Sequence, residues 1–523
     1  MKKLFTLLLA LAVVLSMSAV SAMAEAEYDP AATLYLVSTA DPVTCDPALA
    51  SDGQSGMVID RVFASLVRYT QDGGVTPELA ESYEITEDGT VYTFKIREGI
   101  TFHDGTVCDA NAILWNFERQ MGDNATADMP YAESCFGNIV KAEAPDPLTF
   151  VVTLAEPSSS FLMNCAMRIA MGIVSPTAWE ADPEGFARNP VGAGPYKFGE
   201  WVSGQYVTMP ANEDYILGAP TNAMVVVRFI PESATRTSEM LSGGIDIMGD
   251  IALDDIAVLK AADNVKVIAT PGTNIGYLAF ADYEKNELFS DIRLRQAIAH
   301  ALDMDAINAG LYGEDMVTAK SILPPTMIGG DGEFSLPEYN PEKAKELMAE
   351  AGYPDGFSFT LLTYNVSKGY NPAGERLAVQ VQAELAKVGI DCKIVIEPWS
   401  EFITSMYAET PDYDAIVAGW GAAANDAAYM LQLLESVNAG VGCNHSGYSN
   451  PEYDALVNKG RKAASFEEAA AYYAQAAQLA NEDLPVIPMG HGTGYSAASI
   501  KIINADEVVG GWGVNNDYTL KAK

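Results

Sequence analysis

Short segments that alternate apolar and polar side chains are frequent in the first half of the chain. Residues 92–97 follow this period of two, which predicts a half-buried strand. Residues 148–154, 206–209 and 224–230 predict further strands. Turns separate the segments at Asp88-Gly89, Gly99 and Asp104-Gly105.

Two helices are predicted among these strands. Asp109 stands before apolar residues that recur at helical spacing between 113 and 121, so it is expected to cap the helix that follows. A second helix is predicted near residues 233–241. The first half is therefore expected to mix strands, turns and a few helices.

Helix signals dominate the second half. Asn340, Asn371 and Asn450 each precede a proline, which predicts a capping residue followed by the first helical residue. Gly352 and Gly389 stand just past predicted helix ends, where a left-handed backbone is needed.

Strands are predicted between these helices at residues 357–362 and 393–397. Helices that alternate with strands indicate an α/β lobe with a mostly parallel sheet. There is no internal repeat and no low-complexity linker. The chain is expected to form two compact lobes.

The first 24 residues have the pattern of a signal peptide. Lys2 and Lys3 precede an apolar run at residues 4–15, and Ala22-Met23-Ala24 offers a small-x-small cleavage site. The apolar run is shorter than the ~20 residues that a membrane anchor needs. No cysteine follows the run closely, so a lipid-modified terminus is not supported. We expect export and cleavage after Ala24.

Composition narrows the function. The 523 residues contain 31 Lys and Arg against 70 Asp and Glu, a formal net charge of −39. This balance excludes a nucleic-acid reader, because neutralising phosphates requires Lys and Arg, and it argues against docking on anionic lipid. A hydrophobic content of 49% is too high for a disordered polyanion. At roughly 150 residues per domain, the length suggests two to four domains.

Six cysteines and four histidines are the candidates for redox or metal chemistry. In an oxidising compartment some cysteines are expected either to pair or to remain as buried free thiols. None forms a C-x-x-C pair, and the histidines are scattered without an H-E-x-x-H motif, so a zinc site is not expected. The cysteines are Cys45, Cys108, Cys135, Cys165, Cys392 and Cys443.

No catalytic constellation is recognisable. His103 stands beside Asp104, but neighbours on a strand-to-turn corner point apart, and Asp-Gly is ordinary turn chemistry. The glycine-rich stretch 192–195 lacks the Lys-Ser/Thr pair of a phosphate cradle. There is no G-x-S-x-G elbow. We expect a protein that is not an enzyme and has no cofactor.

Several motifs occur in one order along the chain. Leu-Ala-Glu-Ser-Tyr at 79–83 continues through residues 92–99 to Phe-His-Asp-Gly-Thr at 102–106. Later blocks are Gly-Ala-Gly-Pro-Tyr at 192–196, Gly-Gly-Ile-Asp at 243–246, residues 291–303 and Asn-Pro-Glu-Lys-Ala at 340–344. Together they resemble the signature segments of family 5 extracellular solute-binding proteins, which serve ABC importers. The resemblance spans nearly the whole mature chain.

The resemblance implies a two-lobed, periplasmic-binding-protein-like α/β fold with mixed sheets and a hinge. It implies that the first lobe's core domain collects residues 25–70, 194–275 and 490–523. A domain inserted in that lobe would be 71–193, and the second lobe would be 276–489. Ligand would bind between the lobes and favour the closed state. Any disulfide would have to stay within one lobe, because a bridge across the cleft would block the hinge.

Site residues carried over from the resemblance come from both lobes. Trp399 and Trp420 fall where peptide binders place pocket tryptophans, although each is as often a core residue. Tyr131 resembles a cleft tyrosine. A first-lobe loop that contacts ligand backbone corresponds to Gly53, Gln54 and Ser55. His491 resembles the hinge segment, where a structural role is equally expected.

Two charged positions depart from the dipeptide binders. Lys368, before Gly369-Tyr370, occupies the position of an arginine that pairs with the peptide carboxylate; it lacks the bidentate fork, and a surface role is the alternative. Ala423 occupies the position of an aspartate that pairs with the peptide ammonium. A buried ammonium without a carboxylate is costly, and Asp426 is the nearest substitute in sequence.

The sequence therefore predicts ligand capture for an ABC importer, with permease subunits as partners and a monomeric state. A small peptide or peptide-like solute is the expected ligand. A non-peptide ligand such as an oligosaccharide is the alternative that Ala423 and the tryptophans favour. A secreted hydrolase is the remote alternative.

Overall fold

The structure is a computed structural model that describes residues 28–70, 73–249, 251–408, 411–421, 426–439, 443–509 and 517–523. The predicted signal peptide, residues 1–24, lies outside the described residues. Across the described ranges, no helix combines the length and apolar character that crossing a membrane requires.

The strands of the described residues form three sheets. In chain order they are β1 (Thr33–Ser38), β2 (Val67–Tyr69), β3 (Val75–Pro77), β4 (Ala80–Ile85), β5 (Val91–Ile96), β6 (Ile139–Asp146), β7 (Thr149–Leu154), β8 (Trp201–Val202), β9 (Tyr206–Pro210), β10 (Met224–Phe229), β11 (Ile247–Met248), β12 (Val265–Pro271), β13 (Asn274–Phe280), β14 (Met316–Thr318), β15 (Ser358–Tyr364), β16 (Asp391–Glu397), β17 (Ala415–Gly421) and β18 (Val486–Ser499).

The helices lie between these strands. In chain order they are α1 (Gly53–Val62), α2 (Ala110–Glu118), α3 (Ala132–Phe136), α4 (Phe161–Ala166), α5 (Arg168–Met171), α6 (Pro176–Ala181), α7 (Ser233–Ser242), α8 (Leu253–Lys260), α9 (Ile292–Ala301), α10 (Met304–Tyr312), α11 (Pro341–Glu350), α12 (Gly374–Ala386), α13 (Trp399–Met406), α14 (Ala427–Leu431), α15 (Pro451–Arg461), α16 (Phe466–Asp483) and α17 (Ala505–Val508).

Most of the predicted helix starts are confirmed. The side chains of Asp109, Asn340 and Asn450 each accept hydrogen bonds from backbone amides in the first turn of their helices. Gly352 and Gly389 have positive φ angles of 94° and 92°, as expected after a helix end.

The predicted cap at Asn371 is wrong. The helix α12 begins three residues later, at Gly374, and its cap residue makes no side-chain hydrogen bond. Asn371 instead closes a short loop by pairing with Lys368, and its Oδ1 accepts a hydrogen bond of 2.7 Å from Tyr312 Oη. The side chain is buried and serves tertiary structure, so it is not free to cap a helix.

A single large sheet runs through both lobes. Its order is β16-β15-β17-β13-β18-β11-β1-β10-β9-β8, and β12 and β14 also pair with β18. The expected mostly parallel sheet of the second lobe is a mixed one. β15 is parallel to β16 and to β17, whereas β13 is antiparallel to both of its neighbours. The antiparallel pairs at the centre of the sheet involve β13 and β18, the strands that continue into the connections between the lobes.

The lobes are joined by two antiparallel stretches of chain. One is β12 followed by β13, and the other is β18. The first part of β18 pairs with β13 and the last part with β12, and the pairing changes partner between Gly490 and Thr493. We call this segment, with residues 272–274 opposite it, the hinge.

In the described parts of the chain, buried apolar side chains form four separate clusters. One contains buried residues only from 275 to 489, and a second only from 64 to 193 around the antiparallel sheet β4-β5-β7-β6. The other two combine residues from the beginning, middle and end of the chain. The domain boundaries given above stay a prediction that these separate cores support. We use them to name the first lobe, its inserted domain and the second lobe.

Candidate functional site

Three parallel strands of the second lobe end at the same edge of the sheet. β15, β16 and β17 finish at Tyr364, Glu397 and Gly421. The connections that follow them carry most of the second-lobe residues predicted to bind ligand. Ligand sites of α/β sheets lie outside the carboxyl ends of the strands, so this edge is the candidate site.

Tyr370 fills a gap in this edge. β15 and β17 pair only at Leu361–Leu362 and then separate. The Tyr370 ring lies directly on Gly419, where an added Cβ would be 2.0 Å from Tyr370 Cδ2. The Tyr370 carbonyl lies close to Gly276 of β13, where an added Cβ would be 2.5 Å from the carbonyl oxygen. The two glycines therefore let the loop 366–373 pack onto the sheet.

Gly419→Ala is expected to lower the free energy of unfolding by about 1–3 kcal/mol, because overpacking forces the Tyr370 ring to move. Gly421→Ala, in the same strand, is the matched control, since its Cβ would be no closer than 3.9 Å to another side chain. Urea denaturation of both variants checks this. Equal losses of unfolding free energy in the two variants would show that the position of the Tyr370 ring does not require glycine at residue 419.

Trp399 and Lys368 form the next part of the edge. Trp399 is half-buried, packs edge-to-face on Tyr364 at 5.2 Å and stacks on Phe402 at 5.5 Å. Lys368 Nζ lies 3.6 Å from the centre of the Trp399 ring, a cation–π contact. Among the described residues no carboxylate pairs with this ammonium. Lys368 is therefore available to an anionic group of a ligand.

Trp420 and Tyr429 form a second aromatic pair. Their rings stack at 5.6 Å with an interplanar angle of 24°, and Tyr429 is 39% exposed. The indole Nε1 of Trp420 is buried and has no hydrogen-bond partner within the described part of the chain. A buried donor without an acceptor is unfavourable, so a ligand acceptor at this point would be stabilising.

Asp426 lies beside this pair as the cap of α14. Its Oδ1 accepts a hydrogen bond of 2.9 Å from the Ala428 amide. Burial raises the pKa of Asp426, against the opposing effects of the Ala428 amide and the charge of Arg461. One carboxylate oxygen therefore already serves the helix. Ala423, the position that departs from the peptide binders, lies outside the described residues.

The first lobe contributes the start of α1. Gly53 is exposed, and an added Cβ would meet nothing within 4 Å. Gln54 Nε2 donates a hydrogen bond of 2.8 Å to Thr39 Oγ1. Ser55 is fully buried; its hydroxyl donates to Asp52 at 2.7 Å and accepts from the Val43 amide at 3.0 Å. Ser55 therefore holds the loop, and only Gly53 and Gln54 remain candidates for ligand contact.

Tyr131 belongs to the inserted domain and immediately precedes α3. Its ring is half-buried against that domain's core. Burial raises the pKa of Tyr429, and the charges of Cys443, Tyr407 and Tyr131 add to the increase. A ligand contact at Tyr131 stays a prediction.

His491 is part of the hinge. Its Nδ1 lies 2.7 Å from the Asn274 carbonyl, and burial lowers its pKa to about 4. The Asn274 side chain accepts a hydrogen bond of 2.8 Å from the Gly492 amide. These contacts tie the two connecting stretches together where they pass between the lobes. The neutral imidazole is placed to support the hinge.

Comparison with known proteins identifies this arrangement. A profile described as "Bacterial extracellular solute-binding proteins, family 5 Middle" matches residues 74–440. The chain belongs to this family.

Individual relatives match along nearly their whole length. Heme-binding protein A of Haemophilus influenzae is 31% identical over 92% of this chain and 91% of its own. The dipeptide-binding protein of Escherichia coli is 28% identical over 90% and 91%. The solved structure of HbpA2 from Haemophilus parasuis has a TM-score of 0.83 and 25% identity, covering 94% of this chain and all of its own. The two-lobed binding-protein fold predicted from the sequence is confirmed.

The cysteines and the His103–Asp104 pair of this family 5 solute-binding protein have the contacts of structural residues. All six cysteines are free and buried, and burial raises the pKa of Cys45, Cys135 and Cys392 to about 12. Of the two alternatives for the cysteines, the structure shows buried thiols. His103 Nε2 lies 3.0 Å from the Gly194 carbonyl, whereas Asp104 accepts from the Ser175 hydroxyl. Their different partners agree with structural roles.

Sequence reasoning missed two residues of this family 5 site. Tyr429 lies nine residues beyond Trp420. The two rings meet only because α14 folds back beside the end of β17. Asn274 opens β13 without any motif. Glycine inside a strand marks a close approach, so Gly276 and Gly419 could have pointed to the packing of Tyr370 on this edge but not to Tyr429.

Proposed function

We propose that the protein captures a small peptide or peptide-like solute between its lobes and delivers it to the permease subunits of an ABC importer, acting as a monomer. The supporting observation is the pair of aromatic sites that Trp399 and Trp420 form at the strand ends of the second lobe. Aromatic faces bind apolar side chains, and Lys368 is available for an anionic end. The relatives named for dipeptide and heme binding support the same class of solute capture.

Closure of the two lobes around the ligand is the conformational change on which capture depends. A ligand that touches both lobes binds the closed state better than the open one and shifts the population toward it. Ligand binding also stabilises the folded protein by mass action. At a ligand concentration of a hundred times Kd the free energy of unfolding rises by about 2.7 kcal/mol, and the melting temperature rises with it. Screening of dipeptides, tripeptides and oligosaccharides by thermal unfolding tests the proposal. The proposal fails if no peptide raises the melting temperature, and an oligosaccharide that does so establishes the alternative.

Position 423 is not expected to anchor a free ammonium group of the ligand. Either the ligand is uncharged at that end, or Asp426 supplies the missing acid. Removing one partner of a buried ion pair costs about 3–5 kcal/mol, which is roughly two to four decades of affinity. Residue 423 is alanine, and Asp426 already caps α14. If the ligand is uncharged at that end, peptides with free and acetylated amino termini should bind within about tenfold of each other by calorimetry.

Asp426→Asn keeps the helix cap and removes the charge, so it separates the two possibilities. If Asp426 replaces the missing acid, a preference for the free amine appears in the wild type and is lost in the variant. A preference of a hundredfold or more that survives Asp426→Asn would contradict both versions.

We propose export with cleavage after Ala24. The basic residues, the apolar run and the small residues at 22 and 24 support it. Amino-terminal sequencing of protein from its host is expected to begin at Glu25. An intact Met1 on the secreted protein would contradict cleavage.

A further inference from the structure

The inserted domain and the second lobe touch at a place remote in sequence from the hinge. The Ser159 amide donates a hydrogen bond of 2.7 Å to the Arg461 carbonyl. The Ser159 hydroxyl lies 3.1 Å from Tyr473 Oη. A backbone and a side-chain contact at one serine thus fix the 156–160 loop against α15 and α16.

Two further contacts surround this serine. Lys462 Nζ lies 2.6 Å from Glu156 Oε2, with about half of each side chain exposed. Gly89, in the turn between β4 and β5, is so close to the second lobe that an added Cβ would be 3.2 Å from Ala464 Cβ. The same Cβ would be 3.1 Å from Pro157. A Cβ at Gly89 would already be in tight contact with both lobes, so a larger side chain there must push Ala464 or Pro157 away.

An apolar side chain, a supporting hydrogen bond and a supporting ion pair complete the contact. Phe466 of the second lobe packs against the core of the inserted domain. Asn138 Nδ2 donates a hydrogen bond of 2.8 Å to the Glu156 carbonyl, which holds the loop in place. Both terminal nitrogens of Arg461 lie 2.6 Å from the Glu435 carboxylate. Asn138 holds the loop of the inserted domain and Glu435 holds Arg461 of the second lobe. Little conformational entropy is therefore lost when the two surfaces meet.

We infer that these residues form a latch that holds the two lobes closed and seals the cleft at the end where Asp426 lies. The latch consists of Gly89, Glu156, Ser159, Arg461, Lys462, Phe466 and Tyr473. Its place at that end follows from helix packing, because Asp426 caps α14 and α14 packs against α16, the helix that carries Tyr473. The hinge lets the lobes move, and the latch sets how much of the population is closed.

The seal has a consequence for ligand size, and this part rests on the proposed function. A ligand that extends past Asp426 must separate Ser159 from Arg461 to leave the cleft. Such a ligand binds without the latch contacts and therefore more weakly. The latch selects compact solutes over longer chains.

A glycine pair in the inserted domain provides the test. Gly89→Leu places a side chain in the contact, whereas Gly99→Leu is the matched control. Both glycines have positive φ, 69° and 84°, so both variants carry similar backbone strain, but an added Cβ at Gly99 meets nothing within 4 Å. Nitroxide labels on Val140→Cys and Val437→Cys, which are 61% and 80% exposed, report the distance between the lobes. The native thiols are buried and stay unlabelled.

Double electron–electron resonance of protein as purified is expected to give one distance distribution for the wild type and Gly99→Leu. Gly89→Leu should shift it to longer distances and reduce the closed-to-open ratio at least fivefold. Equal distributions for the two leucine variants would overturn the latch. Distances are read without added ligand, so failure of every peptide to bind would remove the proposed function while leaving this test intact.

A charge exchange covers the case in which Gly89→Leu does not fold. Glu156→Lys and Lys462→Glu should each lower the closed-to-open ratio by about two- to fivefold, and the double exchange should restore it. A peptide length series then tests selectivity. Lengthening the peptide should weaken binding to the wild type more than to Gly89→Leu, and equal dependence on length in both would refute the seal.

Discussion

Glu78→Ala is expected to lower the free energy of unfolding of the first lobe by about 3–5 kcal/mol. Glu78 and Arg168 form an ion pair at 2.5 Å, and both side chains are completely buried. Glu78 Oε1 also accepts from the Tyr215 hydroxyl at 2.5 Å, and Oε2 accepts from the Ser65 amide at 2.9 Å. Removing the carboxylate deprives the buried guanidinium of this ion pair, and the Tyr215 hydroxyl and the Ser65 amide of their acceptor.

This network also joins two domains, because Tyr215 packs in the core cluster of the first lobe and Arg168 in the inserted domain. The second, exposed pair Glu81–Lys95 provides the control, with side chains 52% and 62% exposed. Glu81→Ala should cost less than about 1 kcal/mol. Urea unfolding followed by tryptophan fluorescence measures both. Similar midpoints for Glu78→Ala and Glu81→Ala would show that the buried pair does not stabilise the lobe.

Trp420→Ala is expected to weaken ligand binding by about thirty- to several-hundred-fold, the usual range for a central aromatic residue. The change removes the face that stacks with Tyr429 and the unpartnered indole N–H. Fold stability should change less than affinity, because Trp420 is only half-buried. Calorimetry with the best ligand of the thermal screen measures the loss.

Trp115→Ala is the control for tryptophan content, since its indole lies in the first lobe, edge-to-face on Trp179 and bonded to Glu180. Its affinity should match that of the wild type. The double variant Trp399→Phe, Trp420→Phe should also lose the fluorescence change on closure. A ligand that alters fluorescence equally in this variant and in the wild type would remove both tryptophans from the site.

The fold was predictable where local signals and tertiary structure agree. Asp109, Asn340 and Asn450 each cap a helix through a side-chain oxygen, and Asn450 does so while its Nδ2 donates to Asp483. Asn371 had the same local signal, yet the Tyr312 hydroxyl and the Lys368 loop use it instead. A tertiary contact of this kind has no counterpart in local sequence.

The site was predictable only in part, and the domain boundaries and ligand contacts stay predictions. Resemblance pointed to Trp399 and Trp420 at the strand ends, where the structure has them. It also pointed to Ser55, whose hydroxyl is buried and satisfied within the first lobe. Motif position reports the loop on which a residue lies. It does not report which way the side chain points.

Native mass spectrometry of the mature protein, purified from its host without unfolding, tests the central claim most directly. The folded protein is expected to carry one small solute, released on unfolding and identified by its mass as a peptide or peptide-like compound. A bound oligosaccharide or heme would keep the capture role and change the ligand class. The bare chain mass, together with no mass gain after exposure to mixtures of peptides, oligosaccharides and heme, would contradict capture of a solute between the lobes.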